Sequence, residues 1–81
     1  MPRFFFDTTC RDGPTETDDE GVDLPNVSTA RAEAARAAAE MVKDRVAGDD
    51  IGLTIIARDE TGRALFQVAA LVRVEPLPHS N

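Results

Sequence analysis

The chain has almost none of the residues on which enzyme sites and small extracellular folds depend. Its one cysteine, Cys10, cannot form an internal disulfide, which points to a reducing, cytoplasmic setting. Its one histidine, His79, lies beyond Pro76 and Pro78, where nothing would lock it into catalytic geometry. Arg11 could activate the Cys10 thiol, but a thiolate nucleophile also needs a positioned base. Tryptophan and tyrosine are absent, and all four aromatic residues are phenylalanine. No apolar run approaches the ~20 residues of a membrane-spanning helix. The opening FFF run, ended by Asp7, is too short for a signal peptide. Basic residues number nine against fifteen acidic, for a net charge of −6. That balance does not point to a nucleic-acid or anionic-membrane binder, since both demand clustered Lys/Arg. Gly13, Gly21, Gly48 and Gly62 stand apart, each at a turn or cap, so no loop is built to cradle phosphate. No catalytic residue, enzyme activity or cofactor is expected from this inventory.

What is present begins with a helix. Ser28 to Ala47 is dominated by alanine, glutamate and arginine, which favour helix intrinsically. Ser28 is the expected N-cap, Val27 a staple onto Ala32, and Gly48 the C-cap. Glu33, Arg36, Glu40, Lys43 and Asp44 gather on one side at helical spacing. Ala30, Ala34, Ala37, Ala38, Met41 and Val42 take the other. A face so rich in alanine buries little area but lets the helix axis approach a sheet closely.

On either side of the helix the pattern changes to period two. Arg3 to Thr9 reads as a strand, and Asp12-Gly13 as a hairpin turn. Thr15 to Asp19 reads as a short polar return strand, and Glu20 to Asn26 as a connection. Ile51 to Arg58 and Ala64 to Val74 form a second hairpin. A four-residue loop at 59–62 sets Arg58 opposite Arg63 and keeps Ile51, Leu53 and Ile55 on one face with Phe66, Val68 and Ala70. A three-residue loop would mix Ile55 with Gln67 on that face, so alternation favours the longer loop. The expected fold is α+β: a single helix on an antiparallel sheet of three to four strands, in the order β-β-α-β-β. Residues 1–76 form one domain and 77–81 a disordered tail. The expected core is Phe4, Phe6, Ile51, Leu53, Ile55, Phe66, Val68, Ala70 and Val72 against Ala34, Ala38, Met41 and Val42.

One helix cannot cover both faces of such a sheet. Phe5, Ile56, Leu65 and Leu71 fall on the second face, and an uncovered apolar face on a small domain marks a partner. The expected function is therefore a non-catalytic protein-interaction or regulatory module. Its partner would be another protein or a second copy in a homodimer, with no nucleic acid and no membrane. A rival expectation, a small-ligand or metal-binding protein using the acidic loop with Cys10, rests on Asp18, Asp19, Glu20 and Asp23, whose oxygens suit a hard cation. The alternating ligands of a calcium loop are missing there, so a solvated loop is the simpler reading and no metal is assigned.

The opening MPRFFF, the DDEGVDLP segment and the ARAEA at the helix start carry a resemblance. They resemble a family of short, uncharacterised bacterial proteins that open M-P-R-[FY]-F-F, continue through an acidic D-E-x-G-x-x-L-P segment, and then read A-R-x-E-A. The matching residues are Met1 to Phe6, Asp19 to Pro25 and Ala30 to Ala34. The resemblance implies a fold rather than an activity and carries no catalytic residue. A more distant similarity is to the N-terminal domain of HicB-type antitoxins, which implies toxin neutralisation as a third possibility. This chain departs from them in lacking an additional strand before the helix and a C-terminal DNA-binding segment.

Overall fold

In the computed structural model, which describes residues 1–11, 13–45 and 50–78, one helix lies across one face of an antiparallel sheet. The elements are β1 (Arg3–Cys10), β2 (Thr15–Glu16), β3 (Val22–Asp23), α1 (Val27–Arg45), β4 (Ile51–Arg58) and β5 (Ala64–Val72). The sheet runs β2-β1-β4-β5, and β3 also pairs with β1. The α+β class is as expected, but among the described residues the strands number five rather than three or four. The additional one is β3, which sequence patterning left inside the connection. Two residues are too few to show a period.

The outer edge of β1 explains why its partners are so short. Thr8 and Thr9 pair with Glu16 and Thr15, and Arg3 and Phe4 pair with Asp23 and Val22. Between them the Phe6 amide donates to the Asp18 carboxylate (3.1 Å) instead of to a strand. A side chain thus fills the gap in the ladder, and β2 stops at Glu16 rather than running to Asp19.

Helix α1 begins one residue earlier than expected. Asn26, not Ser28, is the N-cap: its Oδ1 accepts from the Thr29 amide (2.8 Å). That is the reach from a cap to the third helical residue, and Ser28 sits too far inside the first turn to make it. The expected C-cap, Gly48, lies outside the described residues, as do Asp12 of the first turn and His79. Ala30, Ala34, Ala38 and Val42 are buried at four-residue spacing, and the last three pack with Leu53 and Ile55. Phe6, Met41, Phe66, Val68 and Ala70 pack around them as expected, and Ala57 joins the core at the end of β4.

The second hairpin reaches the expected face by another route. Gly62, at φ 89°, donates its amide to the Asp59 carbonyl, and the Asp59 amide donates to the Arg63 carbonyl. This is the three-residue loop, a type I turn followed by a left-handed residue. The Asp59 carboxylate holds it by accepting from the Thr61 and Arg63 amides and the Thr61 hydroxyl. Arg58 therefore faces Ala64, not Arg63, and Ala57 faces Phe66. One extra residue of β5, Leu65, is taken up between these pairs as a bulge. The bulge restores alternation, giving Ile55↔Val68 and Leu53↔Ala70. Buried apolar side chains set the register, and the bulge reconciles it with the turn.

Candidate interaction surface

The pairing places the second sheet face in rows across β1, β4 and β5. Phe5 and Arg58 form one row; Asp7, Ile56 and Gln67 the next; Thr9, Thr54 and Ala69 the third. Arg11, Gly52 and Leu71 form the last. Charged side chains stand at both ends, Asp7 and Arg58 at one and Arg11, paired with Asp50, at the other, with the small uncharged Thr9, Thr54 and Ala69 between them.

The end with Asp7 and Arg58 is closed by the acidic loop. Arg58 makes a forked pair with Asp7, Nε to Oδ2 at 2.6 Å and Nη2 to Oδ1 at 3.0 Å. The same Nη2 donates to the Asp18 carbonyl (2.9 Å), and the Asp18 amide donates to Asp7 Oδ1 (3.0 Å). The Arg58 guanidinium stands 5.3 Å from the centre of the Phe5 ring, within cation–π range. Gly21 presses on the same ring from the loop side. Phe5 is half-buried, its ring lying between Arg58 and the loop.

The residues expected to share an apolar patch are thus dispersed. Ile56 is half-buried next to Asp7. Leu65, the bulged residue, borders a groove of ≈ 650 Å³ shared with Arg31 and Ala35 of α1. Leu71 is 60% exposed at the far end. Beside it Gly52 leaves a depression of ≈ 390 Å³ lined by Thr9, Thr54, Ala69 and Leu71. Cys10 points the other way, packing against the core from β1.

The acidic residues do not converge on one point. Asp23 pairs with Arg3 (3.2 Å), and Asp18 Oδ1 accepts from the Glu20 and Gly21 amides, both at 3.0 Å. Among the described residues no three Asp, Glu, His or Cys side chains are grouped as metal ligands. A second apolar hollow, ≈ 420 Å³, opens where α1 overlies β4 and β5 but not β1, between Met41, Ala37 and Phe6.

A family model for a domain of unknown function, DUF6894, matches residues 3–71. The chain belongs to this family. The DUF6894 match runs from the first residue of β1 almost to the end of β5, so it takes in the helix, the acidic loop and both sheet faces. No curated protein and no solved structure matches the chain. No helix among the described residues is long and apolar enough to cross a membrane.

Within this DUF6894 domain the Asp7–Arg58–Asp18 network also carries a pH signature. The Arg58 hydrogen bond holds the Asp7 carboxyl below the usual 3.8. Burial pushes Asp18 upward, but the Gly21, Phe6 and Glu20 amides outweigh it and leave Asp18 lowered as well. Lowered native values stabilise the fold fully above pH 3.8, and the contribution disappears as pH falls through them. Asp18→Asn keeps one acceptor and loses the charge. It is expected to cost about 1–2 kcal/mol at neutral pH. The gap from wild type should close below pH 3.8 in urea titrations run across the acid range.

Proposed function

We propose that this domain is a non-catalytic protein-interaction module whose partner sits on the open end of the second sheet face. One observation carries the reading. The charges of the face are paired within the chain at both ends, Arg58 with Asp7 and Arg11 with Asp50, which leaves the exposed Leu71 and the Gly52 depression that Arg11 borders uncovered. Small residues there, Thr9, Thr54 and Ala69, let another backbone or an inserted side chain approach closely. Leu71 supplies the apolar anchor. The acidic loop acts as a brace for the sheet, with its Asp18 and Asp23 carboxylates already engaged.

Thr54 stands on the central strand at the middle of the open half, and its substitution leaves the core and both sheet edges unaltered. Thr54→Arg should fold with a melting temperature close to wild type. In crosslinking from native lysate it should lose the proteins that wild type retains. Glu40→Arg, on the exposed side of α1, should retain them. Identical capture by Thr54→Arg and wild type would refute the assignment.

A further inference from the structure

The free edge of β5 is a second surface, adjoining the face just described through Ala69 and Leu71, and its backbone polarity can be worked out. The Arg11 amide donates to the Gly52 carbonyl, so those two residues form a hydrogen-bonded pair. Alternation along antiparallel strands then turns the even residues of β4 toward β1 and the odd ones toward β5. The partners of those odd residues are Phe66, Val68, Ala70 and Val72. The amides and carbonyls of Gln67, Ala69 and Leu71 therefore point outward, away from β4.

Long strand edges are usually blunted by charge, proline or a bulge. The opposite edge of the sheet is only the two-residue β2 and β3, which carry Glu16 and Asp23. In β5 the bulge at Leu65 and the charge of Arg73 bound a plain stretch, Phe66 to Val72, that contains none of these devices. Its midpoint is Ala69.

We infer that β5 pairs antiparallel with β5 of a second copy, on a two-fold axis through Ala69, to make one continuous sheet. In this register Ala69 faces Ala69 of the other copy, and Gln67 faces Leu71 in both directions. All three outward residues of each strand are used, and three pairs with two bonds each make six hydrogen bonds. The two-fold through Val68 would leave Leu71 facing the bulged Leu65.

The helices fit the same arrangement. Helix α1 packs evenly over β4 and β5, so its axis lies about one strand spacing, ~4.8 Å, from the proposed two-fold. The two helix axes would then be about 9.6 Å apart, inside the ~8–10 Å range of packed helices. Such closeness needs small residues, and the flank of α1 toward β5 has exposed Ala32 and Ala35, with Ala39 a turn further, while the exposed Arg31 beside them is long enough to carry its guanidinium out to solvent. The groove between α1 and β5 closes in the process. Seven residues give an edge roughly 23 Å long on a molecule 19 Å across its shortest axis. That footprint, roughly 440 Å² per copy, is smaller than that of a stable dimer, so association should be weak and depend on concentration.

The test is solution mass by light scattering over a wide concentration range. The wild-type mass should rise from 8.8 kDa toward twice that value. Ala69→Lys and Ala69→Glu, at an exposed position, should each fold and stay monomeric, because each sets like charges directly across the axis. Mixing the two should restore a dimer. Ala69→Pro, which removes only an outward amide, should also be monomeric with an unchanged circular dichroism spectrum. Thr54→Arg should still dimerise, which separates this inference from the face assignment. A wild-type mass fixed at 8.8 kDa throughout, or variants that dimerise separately as well as when mixed, would overturn it.

Discussion

Gly21→Ala is expected to destabilise the domain by about 2–4 kcal/mol, because backbone strain and overpacking act together. Gly21 has φ +74°, a conformation that L side chains rarely adopt. An added Cβ would stand 2.8 Å from Phe5 Cε2, 2.9 Å from Arg3 Cγ and 3.0 Å from the Phe4 carbonyl oxygen. Phe5 has little room to retreat with Arg58 against its ring, and the Phe4 carbonyl belongs to the backbone of β1. The loop must give instead. Its displacement pulls the Gly21 amide from Asp18, and with it the carboxylate that serves Phe6 and Glu20. Native-state hydrogen exchange should show the change first at the Phe6, Glu20 and Gly21 amides, with α1 and the β4–β5 ladder protected until global unfolding. Uniform loss of protection along β4 would show that the loop is not a separable unit.

Ile55→Ala should act globally. Ile55 is 1% exposed, at the centre of β4, between Thr8 and Val68 and beneath the alanine face of α1. Large-to-small changes at such sites cost about 2–5 kcal/mol. The upper half of that range is expected, because the helix already touches the sheet through alanines and cannot move closer to fill the cavity. A domain of this length has roughly 4–12 kcal/mol in total at ~0.05–0.15 kcal/mol per residue. The variant should melt far below wild type, or be unfolded at room temperature. Protection of β1, β4 and α1 should fall together, in contrast to the Gly21 variant. A loss below about 1 kcal/mol would mean that the helix can settle onto the smaller side chain.

The two variants divide the molecule into a core and a brace, and only the core is legible in the chain. Alternation in 51–56 and 66–72 and the four-residue spacing of Ala30, Ala34, Ala38 and Val42 identify the buried faces directly. The brace is a matter of long-range pairing. Asp7 and Arg58 are 51 residues apart; each looks like an isolated charge in an apolar strand until β1 and β4 are set in register. For the same reason Phe5 reads as exposed in a strand pattern, whereas folding brings Arg58 and Gly21 over it. Leu65 seemed to belong beside Ile56, but a bulge cannot be seen in a sequence whose alternation it exists to repair.

The sequence by itself determined the α+β class, the helix and the apolar side of each long strand. These follow from local periodicity and composition, which act within a few residues of each position. Tertiary structure alone decided the fifth strand, the three-residue turn with its bulge, the use of the acidic loop as a brace, and which edge of the sheet stays unpaired. Each of these depends on which strand lies beside which, and in what register. That choice is made by side chains from distant parts of the chain burying one another in a single arrangement.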